Sequence, residues 1–287
     1  MQNFEQSRLD KYIRQTYGKH IPQSVIEKAI RNKDILVNGT KPKASDKISE
    51  TDNVFVHPAI CKIFLKICNT KKPNKHDYSK YVDKFKQMII YEDEDLIIIN
   101  KPVGLAMQLG SKTNLAIDVM AKAYNQEARL VHRIDKETSG IAVIVKNIES
   151  SRYMLHLFQT KQVYKKYVAI VSGKLDMIEW TIDKPLAKNK EVVMVDFKNG
   201  KRAITEFRVI KQLSKNRTLI EAKPRTGRTH QIRVHLASIG HPIIGDKRYG
   251  GMQAERLYLH SSEISFITRK GFLLTKIAQM PNCFKRL

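Results

Sequence analysis

The sequence is poor in cysteine and contains no long run of apolar residues. Its three cysteines (Cys61, Cys68 and Cys283) are too few for a disulfide framework and lack the Cys-x-x-Cys spacing of a zinc site. The N-terminal segment lacks the apolar core of a signal peptide, and the longest apolar stretch, which begins at Leu96, has the length of a buried strand. We therefore expect a cytoplasmic protein with no membrane partner and reduced cysteines.

Acidic residues are also scarce relative to basic ones. The 287 residues include 52 Lys and Arg against 28 Asp and Glu, which gives a formal net charge of +24. A surface of this sign attracts polyanions and accelerates their capture. A compositional bias of the genome is one alternative explanation of the charge. Anionic lipid is another, but the sequence shows no basic amphipathic helix with the aromatic anchors that binding to a lipid surface requires. Nucleic acid is therefore the favoured partner.

Composition divides the chain into three parts. Residues 1–59 contain two helical patterns followed by Ile35-Leu36-Val37-Asn38-Gly39, a strong signal for a hairpin turn, and predict a small α+β unit. Residues 60–86 carry eight lysines against two aspartates and include Lys71-Lys72-Pro73-Asn74-Lys75, which predicts a basic linker. Residues 87–287 alternate β-branched runs with helical patterns, which predicts an α+β domain with a mixed, mostly antiparallel sheet flanked by helices.

The stretch His132-Arg133-Ile134-Asp135-Lys136-Glu137-Thr138-Ser139-Gly140 is a polar loop between two apolar strands. Asp135 has a cation on each side, Arg133 and Lys136, and the loop leads directly into a strand that we expect to be buried. Rigidly held loops are where catalytic groups tend to lie. Asp135 is therefore a candidate catalytic carboxylate, and a turn or capping aspartate is the alternative.

A second polar motif, Thr226-Gly227-Arg228-Thr229-His230-Gln231-Ile232-Arg233-Val234-His235, predicts a helix that Thr229 caps. His230 and His235 are five residues apart and do not share a helical face. Since no carboxylate or cysteine stands at ligand spacing, we predict no metal site. Arg233 is either a surface arginine of this helix or the partner of a buried carboxylate, which it would keep ionised.

These two motifs, together with three others in a fixed order, resemble the signature set of the RluA family of pseudouridine synthases. The others are Asn100–Gly104 (NKPVG), Tyr164–Gly173 (YKKYVAIVSG) and the segment GHPIIGDKRYG that begins at Gly240. The departures are small: Ile134 stands where the family usually has leucine, and the last strand, around Leu259-His260-Ser261, differs in pattern.

The resemblance implies a role for several residues. Asp135 matches the catalytic aspartate, Arg133 the arginine that fills the gap left by the target uridine, and Tyr167 the tyrosine that packs on the flipped base. Arg233 matches the arginine paired with the aspartate. Whether the carboxylate acts as nucleophile or as base stays open, and the reaction needs no cofactor. Two further residues of these motifs are assigned to RNA binding: His132 and Arg228.

The first unit resembles an S4 RNA-binding domain. Its combination with the larger domain is the layout of the RluC and RluD branch, which modifies large-subunit ribosomal RNA. This implies a monomer that binds ribosomal RNA, free or in pre-ribosomal particles, and not DNA. A non-catalytic RNA-binding factor and a transfer-RNA substrate are the alternatives. The residues that match the charged RNA-facing positions, each of which also fits a solvated helical face, are Arg8, Lys28, Arg31, Lys33, Lys41 and Lys43.

Overall fold

The computed structural model describes residues 7–18, 21–69, 78–110, 113, 115–189 and 192–285. The chain divides into two compact units, Met1–Asp77 and Tyr78–Leu287. Each unit buries its own set of apolar side chains.

The first unit is a small α+β fold. Strands β1 and β3 pair antiparallel, as do β2 and β4, and the helices cover a core that includes Leu9, Ile26 and Phe64. The elements are β1 (Ser7–Arg8), α1 (Leu9–Tyr17), α2 (Gln23–Arg31), β2 (Ile35–Val37), β3 (Lys47–Ile48), β4 (Val54–Val56) and α3 (Pro58–Asn69).

The turn predicted after β2 is confirmed. Asn38 and Gly39 have φ values of 50° and 75°, the left-handed conformation that this dipeptide tolerates, and a bridge joins Val37 to Thr40. The chain after the turn does not extend this pairing, and β2 pairs with β4 instead. Pro42 explains the difference in part, because a proline has no N–H to donate to a strand ladder.

The prediction of a linker over residues 60–86 is wrong at both ends. Helix α3 belongs to the first unit, where Phe64 is fully buried. At the other end, Tyr78–Tyr81 forms a 3-10 helix and α4 (Val82–Lys86) buries Phe85 in the core of the second unit. The lysines of these helices are exposed to solvent. Their number favoured the prediction of a linker over that of helices with a buried apolar side. The run 71–75 lies outside the described residues.

The second unit contains the remaining elements. In chain order they are α4, β5 (Ile89–Glu92), β6 (Leu96–Lys101), α5 (Ile117–Tyr124), β7 (Arg129–Leu130), β8 (Ser139–Val145), α6 (Ile148–Gln159), β9 (Tyr164–Ser172), β10 (Glu179–Asp183), β11 (Leu186–Asn189), β12 (Val192–Val195), β13 (Ile204–Leu213), β14 (Arg217–Pro224), α7 (Gln231–Ala237), β15 (Leu259–Ile267), β16 (Leu273–Ile277) and a 3-10 helix (Asn282–Lys285).

One large sheet organises this unit. Its strand order is β10-β13-β14-β9-β15-β8-β6-β5, with β7 beside β8 and β16 beside β15. The pairs are antiparallel except β8 with β15, which confirms the predicted mixed, mostly antiparallel sheet. Strands β6 and β8 are buried on both faces: Ile97 packs with the α4 and α5 side, and Ile98 with the α6 side. Two covered faces explain why both strands are continuous apolar runs.

A row of paired residues crosses the middle of the sheet and leads to the polar loop. Lys101 of β6 pairs with Gly140 of β8, Gly140 with Ser261 of β15, and Ser261 with Tyr167 of β9. Gly140 has φ 105°, and a Cβ there would lie 2.1 Å from the Ser261 carbonyl oxygen. Only glycine allows this approach, which brings the loop before β8 next to Tyr167.

Candidate active site

A cleft of about 680 Å³ opens where this row of residues meets the polar loop. It is lined by the loop before β8, the start of β9, the loop after β14 and the first turn of α7. All six residues that the sequence predicted for the site of the larger domain line it: His132, Arg133, Asp135, Tyr167, Arg228 and Arg233.

Hydrogen bonds from a buried lysine and from a backbone N–H fix the loop that carries Asp135. The Lys101 ammonium is fully buried and donates to the carbonyl oxygens of Pro102 (2.9 Å), Leu105 (2.9 Å) and Lys136 (3.2 Å). The Gly104 N–H donates to the same Lys136 carbonyl at 2.9 Å. Burial lowers the pKa of Lys101 to about 7, against the opposing charges of nearby carboxylates. The carbonyl next to Asp135 is therefore fixed by two donors.

The Asp135 side chain is 25% exposed and faces the cleft. Its Oδ2 accepts a hydrogen bond from Arg233 Nη1 at 3.2 Å, and His230 Nε2 lies 3.8 Å from the same oxygen. Among the described residues, Oδ1 receives no hydrogen bond. One oxygen is thus held by a cation and the other is available to a ligand.

Arg233 has a stronger partner that sequence reasoning missed. Its Nε and Nη2 donate to the two oxygens of Asp246 at 2.7 and 2.8 Å, and both side chains are almost fully buried. Burial disfavours the charged guanidinium, but Asp246 and Asp135 raise the pKa of Arg233 nonetheless. The Asp246 carboxylate also accepts from the N–H groups of Arg248 and Tyr249. The available signal was an aspartate within the last motif.

The start of α7 differs from the prediction. The helix begins at Gln231, and the residue before it, His230, has φ 54° and no side-chain cap, so Thr229 is not the cap. The Gln231 side chain stabilises the turn instead, accepting from the Thr226 hydroxyl (2.7 Å) and the Arg228 N–H (3.0 Å).

His230 is oriented by Tyr249. The Tyr249 hydroxyl accepts from the Val193 N–H at 3.2 Å and lies 2.7 Å from His230 Nδ1. This contact fixes the orientation of the imidazole ring. Burial lowers the pKa of His230 against the opposing charge of Asp135, and Nε2 of the ring is the nitrogen that faces Asp135.

Tyr167 reaches the cleft from β9 and keeps its proton over the physiological range. Burial raises the pKa of Tyr167 to about 12, a hydrogen bond with Ser261 opposes this, and the charge of Asp135 adds to it. The phenol is therefore an aromatic surface and a hydrogen-bond donor, and not a base at neutral pH.

The other three predicted residues have different surroundings. Arg133 is exposed at the mouth of the cleft, as is Arg228, whose Nε donates to the Arg202 carbonyl oxygen at 3.1 Å. His132 stacks on Phe158 with a centroid distance of 4.7 Å, and its Nε2 accepts from the Val143 N–H. Burial, assisted by the charge of Lys165, lowers the pKa of His132 to about 3. His132 is thus neutral and cannot offer RNA a cation.

In the first unit, four of the six predicted cations come together. Arg8, Arg31, Lys41 and Lys43 line a concavity of about 400 Å³. Arg8 is also paired with Asp10 at 2.9 Å and remains 57% exposed. The other two residues do not line this concavity: Lys28 and Lys33.

Over the ranges that the structure describes, no group of three or more His, Cys, Asp or Glu side chains is placed to hold a metal ion. None of the helices in those ranges combines the length and apolar character that a membrane span requires.

Comparison with known proteins agrees with this geometry. Residues 95–238 match the family model described as RNA pseudouridylate synthase. The chain is 38% identical to ribosomal large subunit pseudouridine synthase C of Rickettsia bellii, over 98% of this chain and 97% of that protein. It is 37% identical to the protein of the same name from Vibrio cholerae, over 91% and 85% of the two chains.

The solved structures agree as well. Human RNA pseudouridylate synthase domain containing 4 superposes with a TM-score of 0.62 at 25% identity, and the match covers 72% of this chain and 94% of that one. The region matched by the family model, residues 95–238, contains the polar loop, β9 and α7. This chain belongs to the RluA-type RNA pseudouridylate synthase family and is an isomerase that makes pseudouridine.

Proposed function

We propose that this protein isomerises uridines of large-subunit ribosomal RNA and that Asp135 is its catalytic carboxylate. The ribosomal substrate is supported by the names of relatives that match nearly the whole chain. One observation carries the role of Asp135: Arg233 binds one carboxylate oxygen while the other faces a basic cleft. Chemistry at a ribose needs an ionised carboxylate with an uncovered oxygen.

The reaction breaks the N1–C1′ bond of uridine, turns the uracil, forms the C5–C1′ bond, releases the proton of C5 and takes up a proton at N1. A carboxylate can attack C1′ or can remove a proton from the adjacent C2′. Deuterium at C2′ separates these alternatives, because only proton removal predicts a primary isotope effect on single-turnover rate. No electrons are exchanged, so no redox cofactor is required.

Arg233 and Tyr167 support this step in different ways. Arg233 donates to one oxygen of Asp135 and so fixes the position of the carboxylate. Tyr167 offers its ring to the extruded base, and stacking offsets part of the unstacking cost of a few kcal/mol. Because its hydroxyl stays protonated, we assign Tyr167 to packing and hydrogen-bond donation.

Arg133 and Arg228 are assigned to the RNA strand around the target. Arg133 is exposed at the mouth of the cleft beside Asp135, so it can enter the gap that the uridine leaves. Arg228 is exposed on the loop after β14, which also lines the cleft, and there it can neutralise a backbone phosphate. His132 we assign to support of the loop, since its ring is stacked and its Nε2 is occupied.

We further propose that the first unit is an S4-like anchor for the same RNA. The support is the convergence of Arg8, Arg31, Lys41 and Lys43 on one concavity. Lys28 and Lys33 would then contribute to the general positive field rather than to this contact.

The decisive experiment measures tritium release from ribosomal RNA transcripts labelled at uridine C5. The wild-type protein should release tritium in proportion to the sites modified, and Asp135→Asn should release none, because a neutral amide neither attacks nor accepts a proton. Asp83→Asn is the control, since Asp83 is 90% exposed and does not line the cleft. Full release by Asp135→Asn contradicts the assignment.

The same assay tests the substrate. Large-subunit transcripts should release tritium, whereas unmodified transfer RNA should not. Release from transfer RNA alone would move the activity to that substrate. Wild-type protein that binds RNA but releases no tritium from any transcript would favour a non-catalytic binding factor.

A further inference from the structure

Two adjacent lysines of β9 have opposite surroundings. Lys166 pairs with Glu263 and lies 3.9 Å from a Glu221 oxygen. Lys165 is also only partly exposed, yet none of the described residues accepts a hydrogen bond or forms an ion pair with it. Successive residues of a strand point to opposite faces, so one lysine is held by the protein and the other is not.

Lys165 points into the cleft. It lines the cavity together with Tyr167, the next residue on the same face of β9. Its charge acts on His132, whose ring lines the same wall, so the ammonium lies close to the base of the polar loop. Burial lowers the pKa of Lys165, and no carboxylate counteracts this.

The remaining cations of the cleft are either paired or at its mouth. Arg233 binds two carboxylates, and Arg225 donates to both oxygens of Glu206. Arg133, Lys136 and Lys161 are exposed, where water compensates their charge. Lys165 is thus the cation below the rim, within the described residues, whose charge neither water nor a carboxylate fully compensates.

An uncompensated cation below the surface destabilises a fold, because desolvation is not repaid by a partner. A ligand that places an anion beside the lysine compensates for this desolvation. A uridine drawn into this cleft brings its flanking phosphates with it, and the uracil itself offers only neutral carbonyl oxygens. A lysine ammonium is a compact charge suited to a single phosphate oxygen.

We infer that Lys165 forms a phosphate subsite that receives a backbone phosphate adjacent to the target uridine. This inference deepens the proposed function and rests on RNA entering the cleft. It makes Lys165 a binding residue for the extruded nucleotide, on the same strand face as the tyrosine that packs on the base.

The matched pair of lysines gives a test with opposite signs. Lys165→Met should unfold at a higher temperature than the wild type, because an unpaired charge is replaced by an apolar chain of similar length. Lys166→Met should unfold at a lower temperature, because it leaves Glu263 and Glu221 without their cation. A lower melting temperature for Lys165→Met would mean a structural role and would overturn the inference.

RNA binding gives the second reading. For a hairpin RNA with an all-uridine loop, Lys165→Met should bind on the order of tenfold more weakly than wild type. The slope of log affinity against log salt should become shallower by about 0.7, the value for one phosphate contact on a single strand. An unchanged slope would overturn the inference, even if turnover falls, because contact with a neutral uracil oxygen would leave the slope unchanged.

Uncharged methylphosphonate linkages in the RNA loop allow the protein change and the RNA change to be combined in a double-mutant cycle. They should weaken binding by the wild type more than binding by Lys165→Met, since the two changes remove the same contact. Equal losses in both proteins contradict the subsite. These measurements report unfolding and binding rather than product formation, so failure of the proposed isomerisation would appear separately, as absent tritium release from wild-type protein.

Discussion

The floor and the mouth of the cleft contain similar charged groups in very different states. The floor comprises His230, Arg233, Asp246 and Tyr249, and its charges are buried and bonded to each other. The mouth comprises Arg133, Lys136 and Arg228, whose side chains are exposed and receive no carboxylate from the described residues. Asp135 stands between the two, with one oxygen on the floor and one towards the mouth.

This difference separates two tasks. The floor is organised before any ligand arrives, so the position of Asp135 does not depend on RNA. The cations of the mouth remain available to a polyanion. Their interaction free energy is gained only when that polyanion binds. Substitutions in the floor should therefore change stability and turnover, whereas substitutions in the mouth should change affinity and its salt dependence.

The largest effect is expected at Asp246. Asp246→Ala leaves the Arg233 guanidinium buried without its main acceptor, which should lower the free energy of unfolding by about 3–5 kcal/mol. Denaturant titration followed by tryptophan fluorescence measures this change in the second unit, which contains Trp180. Arg133→Ala is the matched control from the mouth. A loss below about 1 kcal/mol for Asp246→Ala would mean that Arg233 is adequately held without it.

The second effect concerns pH and the buried His260. Burial lowers the pKa of His260 from 6.5 to about 4, so the unfolded chain takes up a proton that the folded chain refuses. Stability is therefore complete above about pH 6.5 and should fall by about 1.4 kcal/mol per pH unit as the pH drops towards 4. His132, with a pKa of about 3, acts in the same direction.

Unfolding measured from pH 7 to pH 4 should show this slope, and His260→Gln should make it shallower because the titrating group is gone. His156→Gln is the control, since that histidine is exposed on α6. An equal slope in wild type and His260→Gln would assign the acid sensitivity to other groups.

A smaller effect is expected at Tyr249. Tyr249→Phe removes the hydroxyl that contacts His230 Nδ1 and orients its ring, without removing the aromatic ring beside Arg233. Turnover should fall by about tenfold with KM little changed, because the ring beside Asp135 loses its orientation whereas no RNA contact is removed. Steady-state kinetics on a ribosomal RNA transcript separates the two constants. A raised KM at unchanged turnover would place Tyr249 in binding instead.

The smallest change in stability is expected at the mouth. Arg133→Ala and Arg228→Ala should stay within about 0.5 kcal/mol of wild type in unfolding free energy. For RNA binding, each should make the slope of log affinity against log salt shallower by about 0.7–0.9. Filter binding across a salt series measures this. A loss of stability comparable to that of Asp246→Ala would remove the distinction between floor and mouth.

Much of this arrangement could be predicted from local sequence. The apolar runs of β6, β8 and β9 predicted buried strands, and Asn38-Gly39 predicted a turn with positive φ. The motifs also predicted that Asp135, Tyr167 and Arg233 share a site, which is how the structure places them.

The failures concern interactions between distant segments. Asp246 is 13 residues from Arg233 and in a turn, so no periodicity links them, and only the fold makes it the principal partner. The role of Thr229 failed because the next residue adopts a left-handed conformation. The linker prediction failed because the high lysine content of residues 60–86 as a whole does not describe α3, which has two lysines and buries Phe64.

The row of residues from Lys101 through Gly140 and Ser261 to Tyr167 has a consequence for damaged variants. Pairing in a sheet changes only in whole-residue steps, and a shift of one residue would turn Tyr167 away from the cleft. Tyr167 therefore either faces the cleft beside the loop or points away from it, with no intermediate position. Variants that weaken this row should yield preparations in which a smaller share of molecules is competent, each working at full speed, and counting competent molecules by burst amplitude would reveal this.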